Sequence, residues 1–207
     1  MEILWLQGPH PCPLLNGERV KMSLRVIAGK ARGRKLKSVP GDTTRPITDR
    51  VKESLFNILA GDVIDSNWWD LFGGTGAVGI EALSRGASSV RFTDMNRAPI
   101  ETIKFNVEHC GFQLQSEVRR ADALAALSSR PDRKFEYIYI APPQYKEMWS
   151  KAMELVDENM DWLSDDGWVV VQIAPKEYKG LALENLEEIE QRKYGSTLLV
   201  FYERKNQ

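Results

Sequence analysis

Hydrophobic and polar positions repeat with two different periods along most of this chain. Short apolar runs predict strands, and apolar residues recurring every three to four positions predict helices. The strands fall at residues 68–70, 89–93, 118–122, 135–140, 168–173, 186–194 and 197–204. The helices fall at residues 51–59, 77–85, 97–110 and 149–163. This alternation, closed by an antiparallel pair, predicts an α/β fold with an open, mostly parallel sheet whose ligand crevice lies at the carboxyl ends of the strands.

The stretch DLFGGTGAVG at residues 70–79 joins the first of these strands to a helix. Its glycines predict a turn that a ligand can approach closely, facing the N–H groups and the positive dipole of the helix start. Asp70, at the end of the strand, can accept hydrogen bonds from an amino group or a hydroxyl. The alternative is an ordinary glycine-rich turn between a strand and a helix.

Two further acids end later strands on the same edge of the predicted sheet. Asp94 follows the glycine turn by about 20 residues, the spacing at which a carboxylate accepts from both ribose hydroxyls of a nucleotide. It could instead cap the next helix. Asp122 ends the third predicted strand and suits an adenine amino group or, equally well, a helix N-cap. Together with Asp70, these acids predict a ligand that contains a nucleoside.

The aromatic strand at residues 135–140 continues into Ala-Pro-Pro-Gln-Tyr at 141–145, which we call the proline loop. Two prolines cannot extend a strand ladder, so they predict a rigid loop whose backbone carbonyls are free to accept hydrogen bonds from an amino group. Tyr145 could stack on a planar ring. The alternative is a stiff connector between a strand and a helix.

Residues 24–37, which we call the basic arm, carry no acid and predict a small hairpin. Arg45 and Arg50 would lie near it, at the start of a helix capped by Thr48 or Asp49. Clustered positive charge in a chain of net charge −1 predicts a polyanionic partner, although a solvated basic turn would carry the same charges. The charged residues of the arm are Arg25, Lys30, Arg32, Arg34, Lys35 and Lys37.

The length of 207 residues fits one α/β domain with a small extension. Cys12 and Cys110 form no CxxC motif, so we expect a reducing compartment and neither a disulfide framework nor a metal site. No apolar run approaches the roughly 18 residues of a membrane span. Residues 1–21 lack periodicity and resemble neither a signal nor a transit peptide. We therefore expect a leader or upstream-start extension at 1–21, a polyanion-binding extension at 22–60 and a ligand-binding domain at 61–207.

These stretches together resemble a known family. DLFGGTG at residues 70–76 is similar to motif I (DLFAGSG) of Rossmann-like class I S-adenosylmethionine-dependent methyltransferases. APP at residues 141–143 stands where amino-group methyltransferases carry (D/N)PP(Y/F). RVIAG at 25–29 and TDRVKESLFN at 48–57 resemble the start of the RsmD-type 16S ribosomal RNA guanine-N2 methyltransferases. The resemblance extends over about residues 24–205.

The resemblance implies a fold, a cofactor and a site without a metal. The fold would be a Rossmann-like class I methyltransferase sheet with a small N-terminal extension of a hairpin and a helix. S-adenosylmethionine would bind at Asp70, Phe72, Gly73, Gly74, Thr75, Gly76, Asp94, Met95, Asp122 and Ala123. Ribosomal RNA would contact Arg25, Lys30, Arg32, Arg34, Lys35, Arg45 and Arg50. The catalytic loop would be Ala141, Pro142, Pro143, Gln144 and Tyr145.

One departure from the family pattern concerns catalysis. Ala141 replaces the usual Asp or Asn, and Gln144 occupies the aromatic position. Loss of this acceptor for the amine would weaken transition-state binding by roughly 1–3 kcal/mol, which is about tenfold to a hundredfold in rate. The carbonyls of Ala141 and Pro142, the Gln144 amide and Tyr145 remain. A working variant, a slow enzyme and a protein that only binds RNA are therefore all open.

The reaction implied is methylation of the exocyclic N2 of a guanine, at position 966 of small-subunit ribosomal RNA. Its partner would be 16S ribosomal RNA or the assembling 30S subunit, and the protein would be a monomer in a bacterial cytoplasm or a plastid. Another amine is an alternative substrate. GTGAVG at residues 74–79 also fits the dinucleotide fingerprint of an NAD-dependent oxidoreductase. Asp70, the proline loop and the basic arm weigh against that alternative because hydride transfer requires none of them.

Overall fold

The computed structural model describes residues 24–40, 47–143 and 147–205. The leader expected at 1–21 and the predicted site residues Arg45, Gln144 and Tyr145 lie outside these ranges. The strands are β1 (Asn67–Asp70), β2 (Ser89–Asp94), β3 (Ser116–Arg120), β4 (Phe135–Ile140), β5 (Leu163–Ile173), β6 (Leu186–Tyr194) and β7 (Thr197–Arg204). They form one sheet in the order β3-β2-β1-β4-β5-β7-β6.

The direction of the strands confirms the predicted fold class. The pairs among β1 to β5 are parallel, whereas β7 is antiparallel to both β5 and β6. β1 has β2 on one side and β4 on the other, so the strand order reverses at this point, where open α/β sheets form their ligand crevices. Asp70 ends β1 at the reversal, and Tyr139 of β4 is its register partner.

The helices are α1 (Asp49–Leu59), α2 (Ala77–Arg85), α3 (Arg97–Cys110), α4 (Ala123–Leu127) and α5 (Met148–Glu158). The Thr48 side chain accepts a hydrogen bond from the Val51 N–H at 3.4 Å and caps α1, as one of the two predicted caps. Gly86 ends α2 with φ at 110°, a conformation that favours glycine. None of the helices within the described ranges is long and apolar enough to cross a membrane.

The prediction for the helix before β5 was wrong at its C-terminal end. The helix was expected to reach Leu163, but α5 ends at Glu158 and Leu163 begins β5 opposite Phe135. Asn159 follows the helix with φ at −126° and ψ at 64°, outside the helical region, and its side-chain N–H donates to the backbone carbonyl of Leu127 at 3.2 Å. Apolar spacing alone does not reveal such a contact between distant segments.

Each face of the sheet has its own hydrophobic core because successive residues of a strand point to opposite faces. Trp68 is fully buried in the core that includes Leu55 of α1 and Leu83 of α2. Trp69 is buried in the other core, which includes Trp149 of α5. The central strands of the sheet are therefore covered on both faces, whereas the edge strand β6 is exposed along most of its length.

The basic arm is a minimal hairpin that packs on the same domain. An isolated β-bridge joins Arg25 to Lys35. The apolar side chains of Leu24, Val26 and Leu36 are buried in the core of the α1 and α2 face. The arm therefore shares a core with the sheet and presents its charges outward.

Glu81 of α2 anchors the arm to the domain. Its buried carboxylate accepts hydrogen bonds from the backbone N–H groups of Ile27 at 2.8 Å and Ala28 at 3.0 Å. The same carboxylate lies 3.3 Å from the ammonium of Lys52 and 2.9 Å from the guanidinium of Arg85. Burial lowers the pKa of Lys52, and the charge of Glu81 opposes that effect. These contacts of Glu81 hold the first strand of the basic arm against α2.

Candidate active site

A cleft of about 980 Å³ opens at the carboxyl ends of β1, β2, β4 and β5. This volume suits a cofactor-sized ligand. Every predicted cofactor residue except Gly76 lines the cleft: Asp70, Phe72, Gly73, Gly74, Thr75, Asp94, Met95, Asp122 and Ala123. Ala141, Pro142 and Pro143 line it as well. The structure therefore brings the predicted cofactor residues and the start of the proline loop to one cavity.

The glycine turn after β1 is held in shape by hydrogen bonds of its own backbone. The N–H of Gly73 donates to the Thr93 carbonyl at 2.7 Å, and the N–H of Gly76 donates to the Gly73 carbonyl at 2.6 Å. Gly76 has φ at 75° and precedes α2 without a side-chain cap. The first residues of α2, Ala77 and Val78, line the cleft. The positive end of the helix thus faces the cavity.

At two of these positions the structure gives a different reason for the presence of glycine. A Cβ at Gly73 would lie 2.7 Å from the Ile103 side chain, and one at Gly79 would lie 2.3 Å from the Phe92 ring. Both positions need glycine because the protein packs against them, and Gly73 also lines the cleft. Gly74 is different, because its φ is 52° and a Cβ there would meet only a backbone oxygen, at 3.8 Å. Gly74 is therefore the glycine that leaves room in the cleft.

Asp70 is an almost completely buried carboxyl group at the base of the cleft, with 2% of its surface exposed. Burial raises its pKa to about 8; the hydrogen bond from the Gly79 N–H, at 3.4 Å, lowers the pKa, and the nearby charge of Asp94 raises it further. A cationic ligand group next to Asp70 would favour the ionised carboxylate. This position therefore suits an ammonium group better than a neutral or anionic group.

Asp94 and Asp122 both face the cleft, and both also bind backbone N–H groups. Asp94 accepts from Gly74 at 3.1 Å and from Asn96 at 2.9 Å. Asp122 caps α4 by accepting from Ala125 at 2.9 Å. The third strand was predicted to end at Asp122, whereas β3 ends at Arg120 because Asp122 belongs to the helix start. The N-cap alternative is thus confirmed, and its carboxylate still lines the cleft.

Three carboxyl groups around one cavity decide which ligands it favours. Hydroxyl and amino groups can donate hydrogen bonds to Asp70, Asp94 and Asp122, and a positive charge is attracted by them. A pyrophosphate beside the glycine turn would be repelled by the charge of Asp94 and would keep the buried carboxyl group of Asp70 protonated. The cleft therefore fits the ammonium, sulfonium and ribose groups of S-adenosylmethionine better than it fits NAD.

Two cleft residues were missed by the sequence reasoning. Tyr139 is buried on β4, and its hydroxyl donates to the side-chain oxygen of Gln172 on β5 at 2.5 Å. Burial raises the pKa of Tyr139 well above its usual value, and the charge of Asp70 adds to the effect. Both residues line the cleft. The only sequence signal was a polar residue, Gln172, near the end of an apolar strand.

The predicted RNA-contacting residues of the described ranges lie on the surface. Arg25 pairs with Asp49 at 2.9 Å, and the guanidinium of Arg34 donates to the His109 carbonyl. Four others are exposed and have no ion-pair partner among the described residues: Lys30, Arg32, Lys35 and Arg50.

The end of the basic arm leads to the mouth of the cleft. Asn106 of α3 accepts from the Lys37 N–H at 2.8 Å and donates to the Lys37 carbonyl at 3.0 Å. The same side chain donates to the Thr75 carbonyl in the glycine turn at 2.9 Å. Val39 and Pro40, which follow, line the cleft. Asn106 therefore links the basic arm to the glycine turn. The sequence analysis did not predict this contact.

This sheet order, the glycine turn and the ring of carboxyl groups define an S-adenosylmethionine-dependent methyltransferase of the Rossmann-like class. The chain belongs to the RsmD-type methyltransferase family. The family model that matches residues 24–203 is described as "Conserved hypothetical protein 95". The family and cofactor predicted from the sequence are thus confirmed.

Individual relatives agree with the family assignment. A putative rRNA methyltransferase, YlbH, from Bacillus subtilis is 40% identical over 72% of this chain and 82% of its own. The ribosomal RNA small subunit methyltransferase D of Escherichia coli is 32% identical over 72% of this chain and 74% of its own. The solved structure of a putative methyltransferase, yhhF, from Escherichia coli superposes with a TM-score of 0.78, 29% identity and coverage of 89% of this chain and 99% of that one.

Proposed function

We propose that this protein methylates small-subunit ribosomal RNA, with the exocyclic N2 of a guanine, at position 966, as the acceptor during ribosome maturation. The observation that carries the proposal is the continuity of the site: the residues that directly follow the basic arm, the carboxyl groups for the cofactor and the start of the proline loop all line one cleft. The names of the relatives from Bacillus subtilis and Escherichia coli support an rRNA substrate.

The proposed residue roles follow the chemistry of the cleft. Asp70 takes the ammonium of S-adenosylmethionine, Asp94 its ribose hydroxyls and Asp122 its adenine amino group. The backbone carbonyls of Ala141 and Pro142 accept from the amine of the guanine. A guanine reaches this depth only after leaving its stack, as bases do in other enzymes that modify them.

The methyl transfer needs orientation more than an acid or a base. The N2 lone pair of guanine is delocalised into the ring, so the amine is a poor nucleophile until its lone pair points at the methyl carbon. Holding the two groups in line supplies a large part of the rate. The new N–C bond forms as the S–C electron pair moves to sulfur, and the cationic nitrogen then loses a proton to water.

The proposed RNA contacts are phosphate contacts from the basic arm and from two arginines that follow it: Arg25, Lys30, Arg32, Arg34, Lys35, Arg45 and Arg50. The proposed partner is 16S RNA or the assembling 30S subunit, and the protein acts as a monomer where bacterial ribosomes assemble. Phosphate contacts of this kind position an RNA without reading its sequence. The guanine is therefore selected in the cleft and by the shape of the RNA around it.

The test is methyl transfer to ribosomal RNA from cells in which the gene has been deleted. Naked 16S RNA and 30S particles are each incubated with the protein and isotopically labelled S-adenosylmethionine, and the modified nucleotide is mapped by mass spectrometry. We expect one N2-methylguanine, at position 966, and no product with Asp94→Ala. Binding of cofactor and RNA without product would show a silent homologue, and methyl on another atom or base would show a different substrate. NAD binding without S-adenosylmethionine binding would contradict the proposal entirely.

A further inference from the structure

Gln172 lies beside Ala141 at the carboxyl edge of the sheet. β4 and β5 are parallel, with Tyr139 opposite Val170 and Ile140 opposite Val171. Continuing this register by one residue sets Ala141 opposite Gln172, at about the 4.8 Å separation of neighbouring strands. Both residues line the cleft. A side chain on β5 can therefore reach the space in front of the proline loop.

The two residues also share one face of the sheet. Tyr139 and Val170 belong to the core on the α1 and α2 face, and Ala141 packs against that same core. Because side chains alternate along a strand, Gln172 points to the same face as Val170, two residues earlier. The hydrogen bond from the Tyr139 hydroxyl to Gln172 Oε1, at 2.5 Å, agrees with this placement.

Tyr139 fixes the direction of the Gln172 amide. A buried tyrosine hydroxyl needs an acceptor, and Gln172 Oε1 is the acceptor that it has. The amide oxygen therefore stays in place at the wall of the cleft. A carbonyl oxygen has two lone pairs, so Oε1 can accept a second hydrogen bond from a ligand.

We propose that Gln172 is a catalytic residue: its Oε1 accepts a hydrogen bond from the exocyclic amine, where Ala141 offers no side-chain oxygen. This inference rests on the proposed N2 methylation. Accepting one amine N–H localises the nitrogen lone pair and aims it at the methyl carbon. Gln172 adds no bond change to the methyl transfer: the N–C bond forms, the S–C bond breaks, and the cationic nitrogen then loses a proton to water. Tyr139 is a positioning residue because it acts only through Gln172.

The test is a double-mutant cycle between positions 141 and 172, with kcat, KM for RNA and Kd for S-adenosylmethionine measured for each variant. We expect Gln172→Leu to lower kcat about tenfold to a hundredfold. KM and Kd should change less than about threefold. In the wild type, Ala141→Asn adds a second side-chain oxygen beside that of Gln172, so any gain in kcat should be smaller than the gain in Gln172→Leu. In the Gln172→Leu background it should raise kcat at least about tenfold.

Two further variants separate chemistry from folding. Tyr139→Phe combined with Gln172→Leu leaves no buried hydroxyl without a partner, so it should fold well and still show the low kcat. Gln172→Glu keeps an oxygen acceptor and should retain most of the activity.

Either of two results would overturn the role of Gln172 alone. The first is normal kcat in Gln172→Leu, and the second is an equal gain from Ala141→Asn in both backgrounds. Wild-type protein that forms no N2-methylguanine would overturn the proposed function, and the role of Gln172 with it. The failure of the proposed function is thus distinguishable from the failure of this inference.

Discussion

The carboxyl group of Asp70 makes cofactor binding depend on pH. Its pKa of about 8 in the free cleft means that it is mostly protonated at neutral pH. An ammonium group favours the carboxylate, so binding of S-adenosylmethionine releases a proton from Asp70. We therefore expect the affinity to rise with pH between about pH 6 and pH 7.5, by up to about tenfold per unit. Calorimetry in two buffers of different ionisation enthalpy measures both the affinity and the proton release.

The matched variants are Asp70→Asn and Asp166→Asn. The amide that Asp70→Asn introduces cannot titrate, so the weaker affinity of this variant should vary little with pH. Asp166 is exposed on β5, and its replacement should leave the wild-type dependence unchanged. A wild-type affinity that stays flat across this range, without proton release, would contradict the role of Asp70.

The same pKa predicts how the free energy of unfolding varies with pH. Asp70 binds a proton in the folded protein up to about pH 8, but in the unfolded chain only up to about pH 4. Between these values the folded state binds more protons, so the contribution of this group to stability falls as the pH rises. We expect Asp70→Asn to gain stability relative to the wild type across this window, as measured by urea unfolding at a series of pH values. A difference that does not grow with pH would show that Asp70 titrates normally.

Replacement of Glu81 is expected to lower the free energy of unfolding strongly. Replacing it by alanine leaves the buried ammonium of Lys52 without its ion-pair partner and two N–H groups of the arm without an acceptor. Loss of one partner of a buried pair costs roughly 3–5 kcal/mol. The control is Glu101→Ala, which breaks an exposed pair with Arg97 and should cost less than about 0.5 kcal/mol. Urea unfolding of both variants checks this, and equal losses would contradict it.

Docking of the arm on α2 predicts a difference between two glycines of the same element. Gly29 and Gly33 have similar backbone angles, with φ at 79° and 82°. A Cβ at Gly29 would lie 1.7 Å from the backbone oxygen of Ser84, whereas a Cβ at Gly33 would meet nothing within 4 Å. Alanine at either position costs about 1–2 kcal/mol for the left-handed conformation. Only Gly29→Ala adds the loss from the clash, roughly 1–3 kcal/mol more.

Thermal unfolding measures this difference, because each kcal/mol lowers the melting temperature by roughly 2–4 °C in a chain of this size. Gly33→Ala serves as the control for backbone strain. If both variants melted at the same temperature, the arm would not be docked on α2 in solution.

Among the helices and strands, sequence patterns predicted the bounds of those elements whose ends depend on residues nearby in the sequence. The bounds of α2, α3, β4, β6 and β7 follow from apolar periodicity and from glycines at helix ends. Contacts between distant segments decide the others. Asn159, just after α5, donates from its side chain to the carbonyl of Leu127, the last residue of α4. Asp122 is a different case, because its contact with Ala125 is local and both a strand end and a helix cap fit its sequence.

The site shows the same division. Asp70 and Asp94 each end a parallel strand, and the carboxyl ends of parallel strands lie at one edge of the sheet. Their position in one cleft could therefore be predicted. Asn106, Gln172 and Glu81 could not, since each acts on backbone or side chains far away in sequence. A local sequence pattern does not reveal a residue whose hydrogen-bond partner lies far away in the sequence.

For the whole molecule, an overall charge of −1 hides a basic surface that should make RNA binding depend on salt. Lys30, Arg32 and Lys35 are exposed on the arm and have no ion-pair partner among the described residues. Each phosphate contact releases counterions and adds about 0.7–0.9 to the slope of log affinity against log salt. Replacing all three by alanine should therefore lower the slope by about 2–3 and weaken binding at low salt. Filter binding to 16S RNA over a series of salt concentrations measures it.

The control triple variant removes the same charge elsewhere on the surface. Arg130, Lys151 and Lys193 are exposed and likewise lack an ion-pair partner within the part of the chain that the structure describes. Their replacement by alanine should change the slope by less than about 1, because a charge without a phosphate contact acts only through the screened field of the whole protein. Cofactor affinity should stay at the wild-type value in both triple variants, since neither touches the cleft. Equal slopes for the two variants would mean that net charge, and not the arm, brings the RNA to this protein.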